Sequence, residues 1–188
     1  MSLHRSAVTD LVSWRPPGRA QAALRDAFLA HLRAHPDGTW RSCAPAHVTA
    51  SAAIVDPAAR RILLVMHRKV GRWLQPGGHC EADDATLAAA ALREATEESG
   101  IIGLRVVPGI LQVDRHPAPC QPGVVDEHLD VRYLVIAPAG ATPLVSDESD
   151  DVRWFDWEEL PDGIEPTIRE MLTAARAALA DASSTRDP

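Results

Sequence analysis

Between residues 19 and 35 the apolar positions recur at helical spacing: Ala22, Leu24, Phe28, Leu29 and Leu32 share a face, and Pro36-Asp37-Gly38 stops the run. This predicts an amphipathic N-terminal helix, accessory to the main domain. The pattern then changes. Residues 46–56 and 60–68 carry short apolar stretches bounded by Asp56-Pro57 and by charges, and read as strands. Residues 71–78 (GRWLQPGG) read as a loop with two turn signals, and residues 84–99, rich in Ala and Leu and ended by Gly100, as a helix. Two further strands, 104–116 and 126–137, flank a proline-rich loop, and a short strand at 151–155 precedes a last helix over 166–181. Strands interleaved with helices predict an α/β (α+β) sandwich. The expected organisation is a helical extension over 1–42, a main domain over 43–182 and a disordered polar tail over 183–188.

Composition narrows the class. The 188 residues are 46% hydrophobic and 24% charged, as in ordinary folded domains, and five of the eight aromatics are Trp. A formal net charge of -7 argues against a protein that grips large nucleic acid through a basic surface. It is compatible with a small phosphorylated substrate, because a bound divalent cation inverts the local sign. Cys43, Cys80 and Cys120 show neither metal-site spacing nor a disulfide framework, which suits a reducing cytoplasm. No stretch has the length of a membrane span or of a signal peptide, so no membrane partner is expected; a homodimer is left open.

Candidate chemistry centres on Arg93-Glu94-Ala95-Thr96-Glu97-Glu98-Ser99-Gly100-Ile101. Residues three and four apart share a helix face, so Glu94 lies near both Glu97 and Glu98. Like charges repel there, and the C-terminal end of a helix disfavours anions. A hard, oxygen-seeking cation would offset both penalties. Three glutamates alone would read as a solvated acidic face. The flanks alter that reading: a Gly-Gly turn precedes the helix, Arg93 adjoins the cluster, and Gly100 ends it.

With these flanks the segment resembles the Nudix box, a glycine, five residues, an acid, seven residues, then Arg-Glu-apolar-x-Glu-Glu-x-Gly-apolar. Arg93 to Ile101 match position for position, and Gln75 to Glu81 match the first half. The resemblance implies a Nudix-like α/β/α fold with a mixed sheet over roughly residues 46–160. It implies a pyrophosphohydrolase in which Glu94, Glu97 and Glu98, with the Gly77 carbonyl, bind Mg2+ or Mn2+ while Arg93 orients a glutamate. The substrate would be a nucleoside diphosphate derivative or a nucleoside triphosphate. An isopentenyl-diphosphate isomerase-like enzyme and a non-catalytic nucleotide-sensing module are the rival readings. One departure stands out. The position eight before Arg93 is Ala85, and the nearest acid, Asp84, implies one extra residue. Its expected role is that of helix N-cap.

Other polar positions alternate with apolar ones. Asp114 and His116 share a strand face, as do His128, Asp130 and Arg132; a hairpin across 117–125 would place them on one wall, facing either substrate or solvent. They lack the spacing of a zinc site. His79 and Cys80 follow the Gly-Gly turn, and His79 is a candidate substrate contact. Glu127, Glu148, Asp150 and Asp151 are candidates for an additional loop acid, and Trp73 and Trp154 for base stacking or core packing.

Overall fold

The computed structural model describes residues 2–58, 60–121, 124–147 and 149–184. In chain order the elements are α1 (Leu3–Ser13), α2 (Gly18–Ala34), β1 (Ala46–Val55), β2 (Arg61–His67), β3 (Arg72–Leu74), β4 (Gly77–His79), α3 (Leu87–Ser99), β5 (Arg105–Val106), β6 (Gln112–Gln121), β7 (Val124–Ile136), β8 (Ser149–Asp156) and α4 (Pro166–Ser184).

Everything is arranged around β1, whose ten residues are all buried. It runs parallel to β7 from Ala46↔Glu127 to Val55↔Ile136. Its other edge is shared by β4, at Thr49–Ser51, and β2, at Ile54 and Val55, both antiparallel. The remaining strands extend the mixed sheet antiparallel: β3 and β8 on β2, β5 and β6 on β7. Alternation along β1 then fixes the layers. Val48 and Ala50 pack with Leu87, Ala90 and Ala91 of α3, while Ala52 and Ile54 pack with Ala95. On the opposite face Ala53 and Val55 meet Ile168, Met171, Leu172 and Ala175 of α4. His47, Thr49 and Ser51 also belong to this second face, and they are buried polar residues. The α/β/α sandwich is thus the expected one.

Several boundaries differ from the sequence reading, each for a local reason. An unexpected first helix, α1, precedes the predicted one; Ser2 caps it, and Leu3, Ala7 and Leu11 bury a narrow stripe in the same core as Phe28, Leu29 and Leu32. The Gln21 side chain of α2 both donates to the Val113 carbonyl (3.0 Å) and accepts from its N–H (2.9 Å), covering the edge of β6. The segment 71–78 is not a plain loop, because two three-residue strands form there by pairing with β2 and β1. The strand expected over 104–116 breaks around Pro108-Gly109, where Gly109 adopts φ 102°. The β6–β7 hairpin forms, with a shorter connection than 117–125. Helix α3 begins three residues later than expected, at Leu87, and its cap is Thr86, whose hydroxyl accepts from the Ala89 N–H at 3.0 Å. Such a cap contributes about 1 kcal/mol. Asp84 is therefore not the N-cap. Among the described residues, no helix is long and apolar enough to cross a membrane.

Candidate active site

Helix α3 carries Arg93 and its glutamates on the face that meets β4. Gly100, at φ 66°, ends the helix just past them. Arg93 is the hub. Its Nη1 donates to Glu94 and Glu97, each at 3.0 Å, its Nη2 to the His79 carbonyl (2.8 Å) and to Asp84 (3.1 Å), and its Nε to Asp84 (3.3 Å). Burial works against its charge, but the Asp84 hydrogen bonds and the Glu94 carboxylate outweigh it and hold the guanidinium even more firmly protonated.

The expected cap, Asp84, takes the opposite side of Arg93. Its side chain is only 6% exposed, and it accepts from the Glu81 N–H at 2.8 Å as well as from Arg93. The extra residue before the helix leaves capping to Thr86 and turns Asp84 back towards the guanidinium. Sequence reading missed this because the pairing runs from a loop to the second turn of the helix.

The glutamates differ in setting. Glu98 is 5% exposed and accepts from the Gly77 N–H at 3.0 Å; the Glu94 side chain is largely buried, and that of Glu97 is 59% exposed. A uniformly solvated acidic face does not describe them. Their donors are all oxygens, matching the preference of a hard divalent cation.

Both glycines of the turn are required by close approach. A Cβ on Gly77 would lie 2.2 Å from the Cβ and 2.6 Å from the Cα of Ser51, and one on Gly78 would lie 2.7 to 2.9 Å from the Glu94 carboxylate. The two substitutions should therefore separate. Gly77→Ala meets backbone and is expected to lower thermal stability, by about 1–3 kcal/mol. Gly78→Ala meets the movable end of a side chain, so stability should hold while turnover falls as the carboxylate is displaced. Melting curves and kinetics on both variants check this; equal stability losses without kinetic loss in Gly78→Ala would contradict it.

The polar residues of the hairpin form a buried row on the α4 side of the sheet. Arg132 and Asp130 are each 2% exposed. Asp130 accepts from Ser51 (2.7 Å), Arg132 (3.0 Å), Thr49 (3.2 Å) and Gln75 (3.4 Å). Arg132 also donates to Asp114 (2.8 Å), Gln112 and the Thr167 carbonyl, tying the sheet to α4. His116 Nδ1–H donates to Asp114 at 3.0 Å. Burial lowers the His116 pKa, but Asp114 and Asp130 more than compensate and raise it above the usual value. Burial raises that of Asp114, and His116 with Arg132 bring it below the usual range. The solvent-facing alternative for this wall does not hold at Asp130 or Arg132.

His79 and His128 sit beside this row with His47, a buried residue that the sequence reading did not single out. Burial, together with His47, Arg41 and Lys69, pushes His79 down to about 4, and burial with the neighbouring imidazoles pushes His128 down to about 3. Cys80 is buried and pushed up to about 12 by burial and by Asp84, so its thiol is inert at neutral pH.

The remaining candidates have structural partners. Trp73 packs edge-on against Phe155, with centroids 4.8 Å apart, and Trp154 Nε1 donates to the Ala141 carbonyl at 3.1 Å. Glu127 pairs with Arg115, Asp150 with Arg68 (2.9 Å) and Asp151 with Arg153 (2.5 Å). Glu148 lies outside the described residues, as do the side-chain surroundings of Cys120.

The NUDIX domain pattern matches residues 45–175. No curated protein gives a significant match to the sequence. Among solved structures, the chain is similar to a C. elegans Ap4A hydrolase at 20% identity and TM-score 0.59, with 71% of this chain and 98% of that one covered. It is similar to a MutT protein from Methanosarcina mazei Go1 at 20% identity and TM-score 0.53, covering 71% and 95%. A MutT NUDIX hydrolase from Burkholderia pseudomallei aligns at 27% identity and TM-score 0.50, covering 69% and 97%. The family pattern spans well over half of the sequence and includes the Arg93 cluster and the Gly77-Gly78 turn: the chain belongs to the NUDIX domain family.

Proposed function

We propose that the protein is a pyrophosphohydrolase dependent on Mg2+ or Mn2+, acting on a nucleoside diphosphate derivative or a nucleoside triphosphate. The observation that carries this reading is the Arg93 hub, which holds carboxylates of unequal exposure against the Gly77-Gly78 strand. Glu94, Glu97, Glu98 and the Gly77 carbonyl would hold the cation. When bound, such an ion neutralises charge on the diphosphate oxygens and acidifies an attacking water.

The chain's own residues do the rest. Asp84 anchors Arg93, which orients Glu94 and Glu97. The Gly77 N–H fixes Glu98. Glu97 opens to solvent, within reach of an incoming substrate or water. A carboxylate of this set takes the proton as water adds to phosphorus, and the bond from that phosphorus to the bridging oxygen breaks, the bridging oxygen departing with the other phosphate. The similar structure named as an Ap4A hydrolase is consistent with a nucleotide substrate.

The test is a panel of nucleotide sugars, dinucleotides, nucleoside triphosphates and prenyl diphosphates, assayed with Mg2+ and in excess chelator. At least one phosphoric anhydride should be cleaved, with turnover lost in chelator and restored by Mg2+. Undiminished turnover in chelator would overturn the mechanism. Tight binding of a nucleotide with no cleavage would favour a sensor.

A further inference from the structure

We propose that His47, His79 and His128 form a site for a divalent transition-metal ion of the zinc class, distinct from the oxygen-donor cluster of α3. Each offers a ring nitrogen, and the three ligand atoms lie within 4.8 Å of one another. The ring centroids form a nearly equilateral triangle, every side 5.1 Å.

This convergence is built by the sheet. His47 on β1 is the direct parallel partner of His128 on β7, and Thr49 on β1 is the antiparallel partner of His79 on β4. Three hydrogen-bonded strands therefore present the imidazoles from rigid backbone. His47 is fully buried, and its Nδ1–H donates to the Cys43 carbonyl at 3.3 Å. A carbonyl only accepts, so the bond fixes the tautomer and puts the lone pair on Nε2. Backbone carbonyls commonly orient metal-bound histidines in this way.

Ligand chemistry separates the two sites. Imidazole suits zinc, cobalt, nickel and copper, whereas carboxylates and carbonyls suit Mg2+ and Mn2+. Tetrahedral coordination with metal–nitrogen distances near 2.0–2.1 Å needs nitrogens about 3.3 Å apart, a short inward movement of the side chains. Three protein nitrogens leave a fourth position for water or an anionic oxygen. The two sites are also joined covalently and by a hydrogen bond. His79 directly follows Gly78, and its carbonyl accepts from Arg93 at 2.8 Å. An ion on His79 therefore bears on the same short strand that packs against Glu94 and Glu98.

A second group, His35, Asp37 and Cys43, also brings three ligand atoms together near His47. It includes a thiol, which gives the two locations different spectroscopic signatures.

The experiment titrates metal-stripped full-length protein with Co2+, and with Zn2+ by calorimetry, in excess Mg2+ to occupy the carboxylate site. One equivalent should bind, with the intense visible absorption of tetrahedral Co2+ and without sulfur charge transfer. His79→Gln and His128→Gln should each weaken binding at least about tenfold, the scale by which even indirect partners tune such sites. Cys43→Ser should bind normally. Zn2+ should raise the wild-type melting temperature and fail to raise that of either histidine variant, a readout that does not require equal starting stability. Absence of stoichiometric binding, or binding unchanged in both histidine variants, overturns the proposal. A thiolate band that disappears in Cys43→Ser would place the ion on the second group and overturn it as well.

Discussion

Glu98→Gln is expected to lower turnover by about two orders of magnitude or more while the protein stays folded. The substitution keeps an oxygen able to accept from the Gly77 N–H, so the link between α3 and β4 survives. It removes one negative charge from a crowded helix face, which tends to stabilise the isolated helix. What it takes away is a buried carboxylate that would balance a cation and the charge developing on the diphosphate. Glu97→Gln should cost a comparable factor, although Glu97 is exposed and its loss scarcely touches packing. Kinetics and melting curves on both variants decide the matter. Near-normal rates in both would mean that the cluster has no part in catalysis.

The second large effect is expected at the Arg93–Asp84 pair. Arg93→Met leaves the Asp84 carboxylate buried without its guanidinium, and breaking such a pair costs about 3 kcal/mol. For a chain of this size that is a fall of roughly 6–12 °C in melting temperature. Turnover should fall too, because Glu94 and Glu97 lose the donor that orients them. Asp84→Asn should cost less, since Asn can still accept from the Glu81 N–H and Arg93 retains its glutamates. The double variant should be less destabilised than the sum of the singles, by about 1–3 kcal/mol. An Asp84→Asn variant silent in both stability and rate would contradict a structural or catalytic part for the Asp84–Arg93 pairing.

Much of the acidic site is readable from the sequence because it is local. Helical periodicity alone places Glu94 beside Glu97 and Glu98, and Gly100 marks the end of the helix. The principal strands are readable for a similar reason: β1, β2 and β8 carry apolar runs or alternations bounded by charges. What sequence does not show is non-local pairing. The three-residue strands β3 and β4 exist through their partners on β2 and β1, not through any propensity of their own. Helix α1 buries only Leu3, Ser6, Ala7 and Leu11, a stripe too narrow and too mixed in polarity to stand out from its neighbours. Asp84 resembles a cap because Asp before an Ala-rich run usually is one, and only the path of the loop reveals Thr86 in that place. The buried row Thr49, Ser51, Asp130 and Arg132 is disguised as ordinary alternation, and burial of both alternating sets emerges only once α4 covers the sheet. His47, His79 and His128 lie on three strands far apart in the chain, so no spacing rule could gather them.

In the proposed reaction water, helped by the Arg93 cluster and a divalent cation, attacks phosphorus in a diphosphate. Turnover of the best substrate of the panel in 18O-labelled water, with Mg2+ present, tests this most directly. The mechanism predicts one labelled oxygen on a single phosphate product per cleavage, with incorporation abolished by chelator and strongly reduced in Glu98→Gln. Conversion of substrate with no 18O on any phosphate, or label that enters equally in chelator, would contradict it.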